Sequence, residues 1–212
     1  MFENREEAGK RLAEALGKYK NMNVLVLALA RGGVEIGYEV AKHLDADLSL
    51  LVTRKLPFPD NPESGFGAIA EDGSTYINEN AARFVPQEVM RLTAQEQVDE
   101  INRRITALRD GKPLPDMTGR TVILVDDGIA MGSTMRASIK LCRNKKAGKI
   151  IVAVPVTGRD TARQIEKLVD ELVVLEMPDY FHAVAQVYRD WYDVPDMEVR
   201  SVMRKWEHRT GL

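Results

Sequence analysis

A single cysteine, Cys142, stands in 212 residues. The chain can therefore form neither an intramolecular disulfide nor a zinc site built from cysteines, and the reducing cytoplasm is its expected compartment. Ile139, Lys140 and Leu141 beside it read as a helix face, and a lone thiol in that setting is expected in the core. Long apolar runs are missing as well. None approaches the roughly 20 residues of a membrane span, and Met1 to Glu7 lacks the apolar stretch of a secretory leader, so no membrane partner is expected. Nor does one sign of charge dominate: Lys and Arg total 30 against 32 Asp and Glu, a formal net charge of -2. That balance gives no reason to expect nucleic acid as a partner. A small phosphorylated ligand stays open, because it needs only a local cluster of cations. The three histidines, His43, His182 and His208, are scattered and make no metal site.

What is present is an ordinary globular composition, 44% apolar and 29% charged, at a length that suits one domain over 1–212. Ala8, Leu12, Ala15, Leu16 and Tyr19 recur at three- and four-residue steps, which predicts a helix over 4–20. Val24 to Leu29 is apolar throughout, as a strand buried on both faces is. Gly32-Gly33 ends it, and Val34 to Leu44 returns to helical spacing. Leu48 to Thr53 predicts a second strand. Pro57, Pro59 and Pro62 make the stretch that follows, 55–62, a loop. Asp72-Gly73 sets a tight turn between 66–70 and 74–77. A long helix is expected over 86–110, with Pro86 in its first turn and Gly111 at its end. A connector containing Pro113 and Pro115 leads to a strand at 121–125, a helix at 134–144, a strand at 149–154, a helix at 159–168 and a short strand at 172–175. This alternation predicts an α/β fold, a parallel sheet of about five strands flanked by helices.

The chemistry concentrates in Val122-Ile123-Leu124-Val125-Asp126-Asp127-Gly128-Ile129-Ala130-Met131-Gly132-Ser133-Thr134. Four apolar residues bury a strand, and two carboxylates follow at its carboxyl end, the edge where open α/β sheets bind ligands. Gly128 and Gly132 let the backbone turn and approach a ligand closely. Ser133 and Thr134 open a helix whose free N–H groups favour an anion. The loop suits a monophosphate; the acid pair would repel phosphate and suits sugar hydroxyls or a developing cation. A Walker A loop needs Lys after its second Gly, where Ser133 stands, and Gly-x-Gly-x-x-Gly follows no strand. Haloacid-dehalogenase-type phosphatases need Asp-x-Asp, whereas Asp126 and Asp127 are adjacent.

Val122 to Thr134 resembles the phosphoribosyl-pyrophosphate motif of the type I phosphoribosyltransferases, in which four apolar residues and two acids precede a loop ending in Thr-Gly-x-Thr. Ala28-Leu29-Ala30-Arg31-Gly32-Gly33 is similar to that family's first-strand loop, and Val52-Thr53-Arg54-Lys55 to the basic end of its next strand. Over roughly residues 1 to 195 the chain looks like stand-alone members of unassigned substrate. The resemblance implies the family's α/β fold with a small hood, contributed by about 55–80 and 177–195. It implies transfer of phosphoribosyl from phosphoribosyl pyrophosphate to a nitrogenous base or amine, with Mg2+ as cofactor, and a homodimer.

The implied roles fall residue by residue. Asp126 and Asp127 would bind ribose hydroxyls and, through water, the metal, and with Arg31 would be catalytic. Together with Gly128, Ile129, Ala130, Met131, Gly132, Ser133 and Thr134 they would hold the 5'-phosphate end. Ala30, Arg31, Gly32, Gly33, Arg54 and Lys55 would hold pyrophosphate; Arg31 at a helix start opposes the helix dipole unless an anion is present. Tyr180, Phe181 and His182 would meet the acceptor, while Tyr188, Trp191 and Tyr192 read as core or dimer interface. The loop 56–64 would either close over the ligand or stand as a rigid proline-rich surface loop. Two departures are informative. Met131 stands where the family carries Thr, so the loop loses one hydroxyl. Ala130 stands where hypoxanthine–guanine-type members carry a third acid, so it offers no titratable side chain for a purine proton. A phosphoribosyl pyrophosphate or nucleotide sensor without turnover and a phosphohydrolase of phosphoribosyl compounds are the alternatives.

Overall fold

In the computed structural model, which describes residues 1–211, β1 (Val24–Leu29) is buried along its whole length. Val24, Val26 and Ala28 enter one core and Leu25, Leu27 and Leu29 another. The same division holds for β6 (Thr121–Val125) and β7 (Lys149–Val156), where Ile123, Val125, Ile151 and Ala153 face the first core and Val122, Leu124, Ile150 and Val152 the second. Apolar residues at every position are what a strand between two helical layers requires, since successive side chains point to opposite faces. Burying each large aliphatic side chain in this way stabilises the fold by about 1.5–3 kcal/mol. With β2 (Asp47–Leu51) and β8 (Glu171–Glu176) these strands form the expected five-stranded parallel sheet, in the order β2-β1-β6-β7-β8.

One face is covered by α1 (Arg5–Ala15), α2 (Gly33–Leu44) and α7 (Asp196–Thr210), the other by α5 (Ser133–Asn144) and α6 (Arg159–Glu166). A smaller antiparallel sheet, β3 (Thr53–Phe58), β4 (Asn61–Ala70) and β5 (Thr75–Ile77), stands apart. It packs through Leu56, Phe66 and Ile69 against Ile101 of α4 (Gln87–Arg109), with the short α3 (Glu79–Ala82) beside it.

Three expectations are corrected. The stretch 55–62 is not a loop; it is the end of β3 and the start of β4, turning at Pro59-Asp60. The prolines are tolerated because β3 is an edge strand, because the register shifts on both sides of Pro57, and because Pro62 lies where β4 has no second neighbour. The first helix ends at Ala15 and gives way to a 3-10 turn at Gly17–Tyr19. Finally, α7 was not expected at all. Only Val199 and Trp206 of its 15 residues are buried, so its sequence carries little helical periodicity.

The strand order reverses between β1 and β6. This switch point is where the loops of neighbouring strands diverge and leave a crevice at the carboxyl edge of an open α/β sheet. The loop after β1, 30–32, and the loop after β6, 126–132, both open there.

Candidate functional site

Asp126 and Asp127 leave β6 in opposite directions. Asp126 lines a cavity of about 570 Å3 together with Gly128 to Thr134, closed on its far side by Lys55, Phe58, Ser64 and Gly65 of the β3–β4 hairpin and by Val184. Its Oδ1 accepts the Asp127 amide at 2.9 Å, and no cation contacts it among the described residues. Burial, reinforced by the charge of Asp127, holds its carboxyl well above the usual range.

Asp127 turns instead toward the N-terminal helix. Its Oδ2 accepts from Nε and lies 2.9 Å from Nη2 of Arg5. Arg5 is 3% exposed, its guanidinium 4.2 Å from the Trp191 ring centroid, and its Nη1 donates to the Tyr192 carbonyl at 3.0 Å. The Tyr188 hydroxyl donates to the Asp127 carbonyl at 2.7 Å. Burial pushes the Asp127 carboxyl up and Arg5 pulls against it. The carboxylate also fixes Gly32 in the loop after β1, where a Cβ would lie 2.1 Å from Asp127 Oδ2. Trp191, Tyr192 and Tyr188, expected as core or interface, thus enclose the counterion of a motif acid.

The loop after Asp127 is held by its carbonyls. Thr157 donates its hydroxyl to Ile129 O at 2.8 Å, Thr161 to Ala130 O at 3.0 Å and Arg136 its Nη1 to Met131 O at 3.3 Å, while the Arg136 amide bonds Gly132 O. With these acceptors occupied, and with the Asp127 and Ile129 amides taken by Asp126 Oδ1 and Val156 O at 2.9 Å each, the remaining N–H groups are what the loop has left for a ligand. Gly132 takes φ +78 and starts α5 without any side-chain cap, so the first amides of that helix are free to meet an anion. Met131 is 77% exposed and offers no hydroxyl.

The cations expected at pyrophosphate are spread more widely. Lys55 lines the cavity and donates to the Glu63 carbonyl. Arg54 donates Nε to Gln97 Oε1 at 3.0 Å; burial and the nearby Arg104 push its guanidinium below its usual value. Arg31 reaches Asp196 of α7 at 3.4 Å. Ala30, Arg31, Gly32 and Gly33 sit at the β1 edge without lining the cavity, and the Ala30–Arg31 peptide is cis. None of Tyr180, Phe181 and His182 lines it either. Tyr180 is 85% exposed, Phe181 packs on the first core beside Gly158, and the His182 amide donates to Gln186.

Sequence reasoning missed Arg5, Arg136, Thr157, Thr161 and Val184. For Arg5 a signal existed: it falls on the apolar stripe of α1 with Ala8 and Leu12, an odd place for a cation without a buried partner. The others act on backbone or supply an apolar wall, and nothing local announces that. No group of three or more His, Cys, Asp or Glu converges among the described residues. Mg2+ does not need one, since it keeps waters and takes one or two carboxylates plus phosphate oxygens. A desolvated Asp126 without a cation fits that donor set, and Asp127 has Oδ1 to spare.

A family model described as "Phosphoribosyl transferase domain" matches residues 2–190. A provisionally named phosphoribosyl transferase of Mycobacterium tuberculosis is 40% identical over 201 residues, which are 94% of this chain and 45% of that protein; the chain thus spans about half the length of the curated relatives it matches. The crystal structure of TT1426 from Thermus thermophilus superposes with a TM-score of 0.81 at 34% identity, covering 97% of this chain and 99% of that one. A purine phosphoribosyltransferase of Pyrococcus horikoshii shares the fold at 16% identity, with a TM-score of 0.51 and 90% of each chain covered.

Proposed function

The chain belongs to the phosphoribosyltransferase family, and from that premise we propose that it uses phosphoribosyl pyrophosphate and Mg2+ to transfer phosphoribosyl to a nitrogenous base or amine, releasing pyrophosphate. One observation carries this reading: a single cavity pairs a cation-free carboxylate, Asp126, with a loop whose carbonyls are tied away from it. A sugar bearing a 5'-phosphate needs those two surfaces side by side, because hydroxyls and a growing positive charge favour the acid while the phosphate favours amides.

In the reaction the acceptor nitrogen bonds to the anomeric carbon as the bond from that carbon to pyrophosphate oxygen breaks, and the electron pair leaves with pyrophosphate. Asp126 holds ribose hydroxyls and stabilises positive charge on the ring. Asp127, with Oδ2 committed to Arg5, shapes the loop through Gly32 and would have Oδ1 to offer toward the metal. Gly128, Ile129, Ala130, Met131, Gly132, Ser133 and Thr134 cradle the 5'-phosphate. Asp126 and Asp127 would hold Mg2+, which would supply electrostatic relief for the leaving group. Ala30 to Gly33, Arg54 and Lys55 receive pyrophosphate, for which Arg31 exchanges Asp196. The small sheet and 177–195 act as the hood, and Val184 brings that segment, with Tyr180, Phe181 and His182, to the acceptor side. Ala130 has nothing to titrate, which disfavours a 6-oxopurine acceptor.

The test is pyrophosphate release from phosphoribosyl pyrophosphate and Mg2+ across a panel of bases and amines. Acceptor-dependent release is expected. Release without any acceptor would make the protein a hydrolase, and tight binding without turnover would make it a sensor.

A further inference from the structure

In the first turn of α5, Arg136 is 9% exposed, yet each partner it has is neutral. Nη1 donates to Met131 O, Nη2 to Gln164 Oε1 at 2.5 Å, and the guanidinium lies 5.0 Å from the Tyr76 ring centroid. A buried cation without a counterion is expensive. Beside it a groove of about 570 Å3 runs between β5, α5 and α6, sharing no lining residue with the phosphoribosyl cavity. Tyr76, Ile77, Ile139 and Leu168 give it an apolar wall; Arg136, Lys140, Arg143 and Lys167 give it four positive charges. No carboxylate lines it, and none lies within 4.0 Å of any of these four cations among the described residues. Lys140 and Arg143 find only the Thr75 and Leu168 carbonyls.

We propose that this groove is an effector site for a nucleoside phosphate, with the phosphates on Lys140, Arg143 and Lys167 and the base on the wall of Tyr76 and Ile77. The chemistry selects this class. Unpaired positive charge demands an anion, an aromatic and aliphatic wall demands a flat apolar body, and the volume is that of a small-molecule pocket. Arg136 joins the two sites: it lines the groove, holds Met131 O, and stands 3.0 Å from where a Cβ on Gly132 would lie. A phosphate that draws this guanidinium toward the groove loosens its hold on the loop, so occupancy of the groove alters binding at the loop, and the reverse holds equally. The coupling rests on the phosphoribosyl reading of the cavity; occupancy of the groove does not.

The experiment is titration calorimetry on the full chain with AMP, GMP and ATP, comparing wild type, K140E/R143E and D126N. Wild type and D126N are expected to share a groove-binding step that K140E/R143E weakens at least about tenfold, a difference of about 1.4 kcal/mol. Melting of K140E/R143E is expected to match wild type, because both side chains sit at the rim. A saturating nucleotide is expected to shift wild-type affinity for phosphoribosyl pyrophosphate by about fivefold or more. Equal nucleotide affinity in wild type and K140E/R143E overturns the proposal, as does failure of wild type to bind any of the three. So does a wild-type dimer that K140E/R143E dissociates, which would give the groove to a second copy. Nucleotide binding that responds to K140E/R143E in a protein blind to phosphoribosyl pyrophosphate would sink the proposed function and leave the groove standing.

Discussion

Asp126 and Asp127 are neighbours in the chain with opposite surroundings, and the difference yields two predictions. Asp126 is desolvated, faces the cavity and has no counterion, so its carboxyl is raised. For a carboxyl raised in the folded state, the contribution to stability is full below its unfolded value, 3.8, and is lost as pH rises through the folded value. Ionising Asp126 therefore costs the folded state stability. D126N is expected to cut pyrophosphate release about 100-fold or more while the melting temperature at neutral pH holds or rises. A melting temperature that fell with activity would point to a structural role instead. Asp127 and Arg5 form a buried pair, with side chains 12% and 3% exposed. R5M leaves the carboxylate unpaired and is expected to destabilise by about 3–5 kcal/mol in urea unfolding. R5M/D127N removes both charges and is expected to recover part of that loss. The acid doublet was legible because two adjacent carboxylates after an apolar run are rare without chemistry. Which of the two would face the cavity was not, since that depends on a cation 122 residues away.

Elements reveal the same limit on a larger scale. The central strands of the main sheet, β1, β6 and β7, could be read because burial on two faces leaves almost no room for polar residues. The β3–β4 hairpin could not, because its prolines sit at an edge and a register shift that only the partner strand defines. The loop after β6 is braced from β7 and α6, and T157V tests that bracing. Thr157 is fully buried and donates to Ile129 O, so the valine variant strands a buried carbonyl. It is expected to lose about 1–3 kcal/mol of stability and to bind phosphoribosyl pyrophosphate more weakly in calorimetry. On α4, Glu100 pairs with Arg103 and Arg104 one turn on. Hydrogen bonding from Arg103 leads the effects that bring its carboxyl from 4.5 down to about 2. A depressed carboxyl stabilises above its unfolded value and stops doing so as pH falls through the folded one. In thermal melts the advantage of wild type over E100Q is therefore expected to be full above pH 4.5 and to vanish toward pH 2. It should stay below about 1 kcal/mol, because the carboxylate is partly solvated.

At the scale of the whole molecule, two layers of helices press the sheet from both sides while a smaller sheet overhangs its carboxyl edge. The layered plan followed from strand–helix alternation, whereas α7 escaped notice because it buries so little of itself. That little matters: Trp206 meets Tyr38 of α2 edge-on at 5.9 Å, and Asp196 holds Arg31. Ending the chain before Asp196 is expected to cost several kcal/mol, at about 1.5–3 kcal/mol for each large apolar side chain uncovered, and to free Arg31. A truncated chain as stable as wild type in urea would show that α7 is only an appendage.

The bond from Arg5 to Asp127, roofed by Trp191, has a further consequence for how the molecule comes into being. Neither acid has its final charge environment until residues 5, 127 and 191 have all been synthesised and brought together. A nascent polypeptide extended past Asp127 but not yet to Trp191 would carry the doublet and Arg5 without the indole and the Tyr192 carbonyl that hold the guanidinium in place.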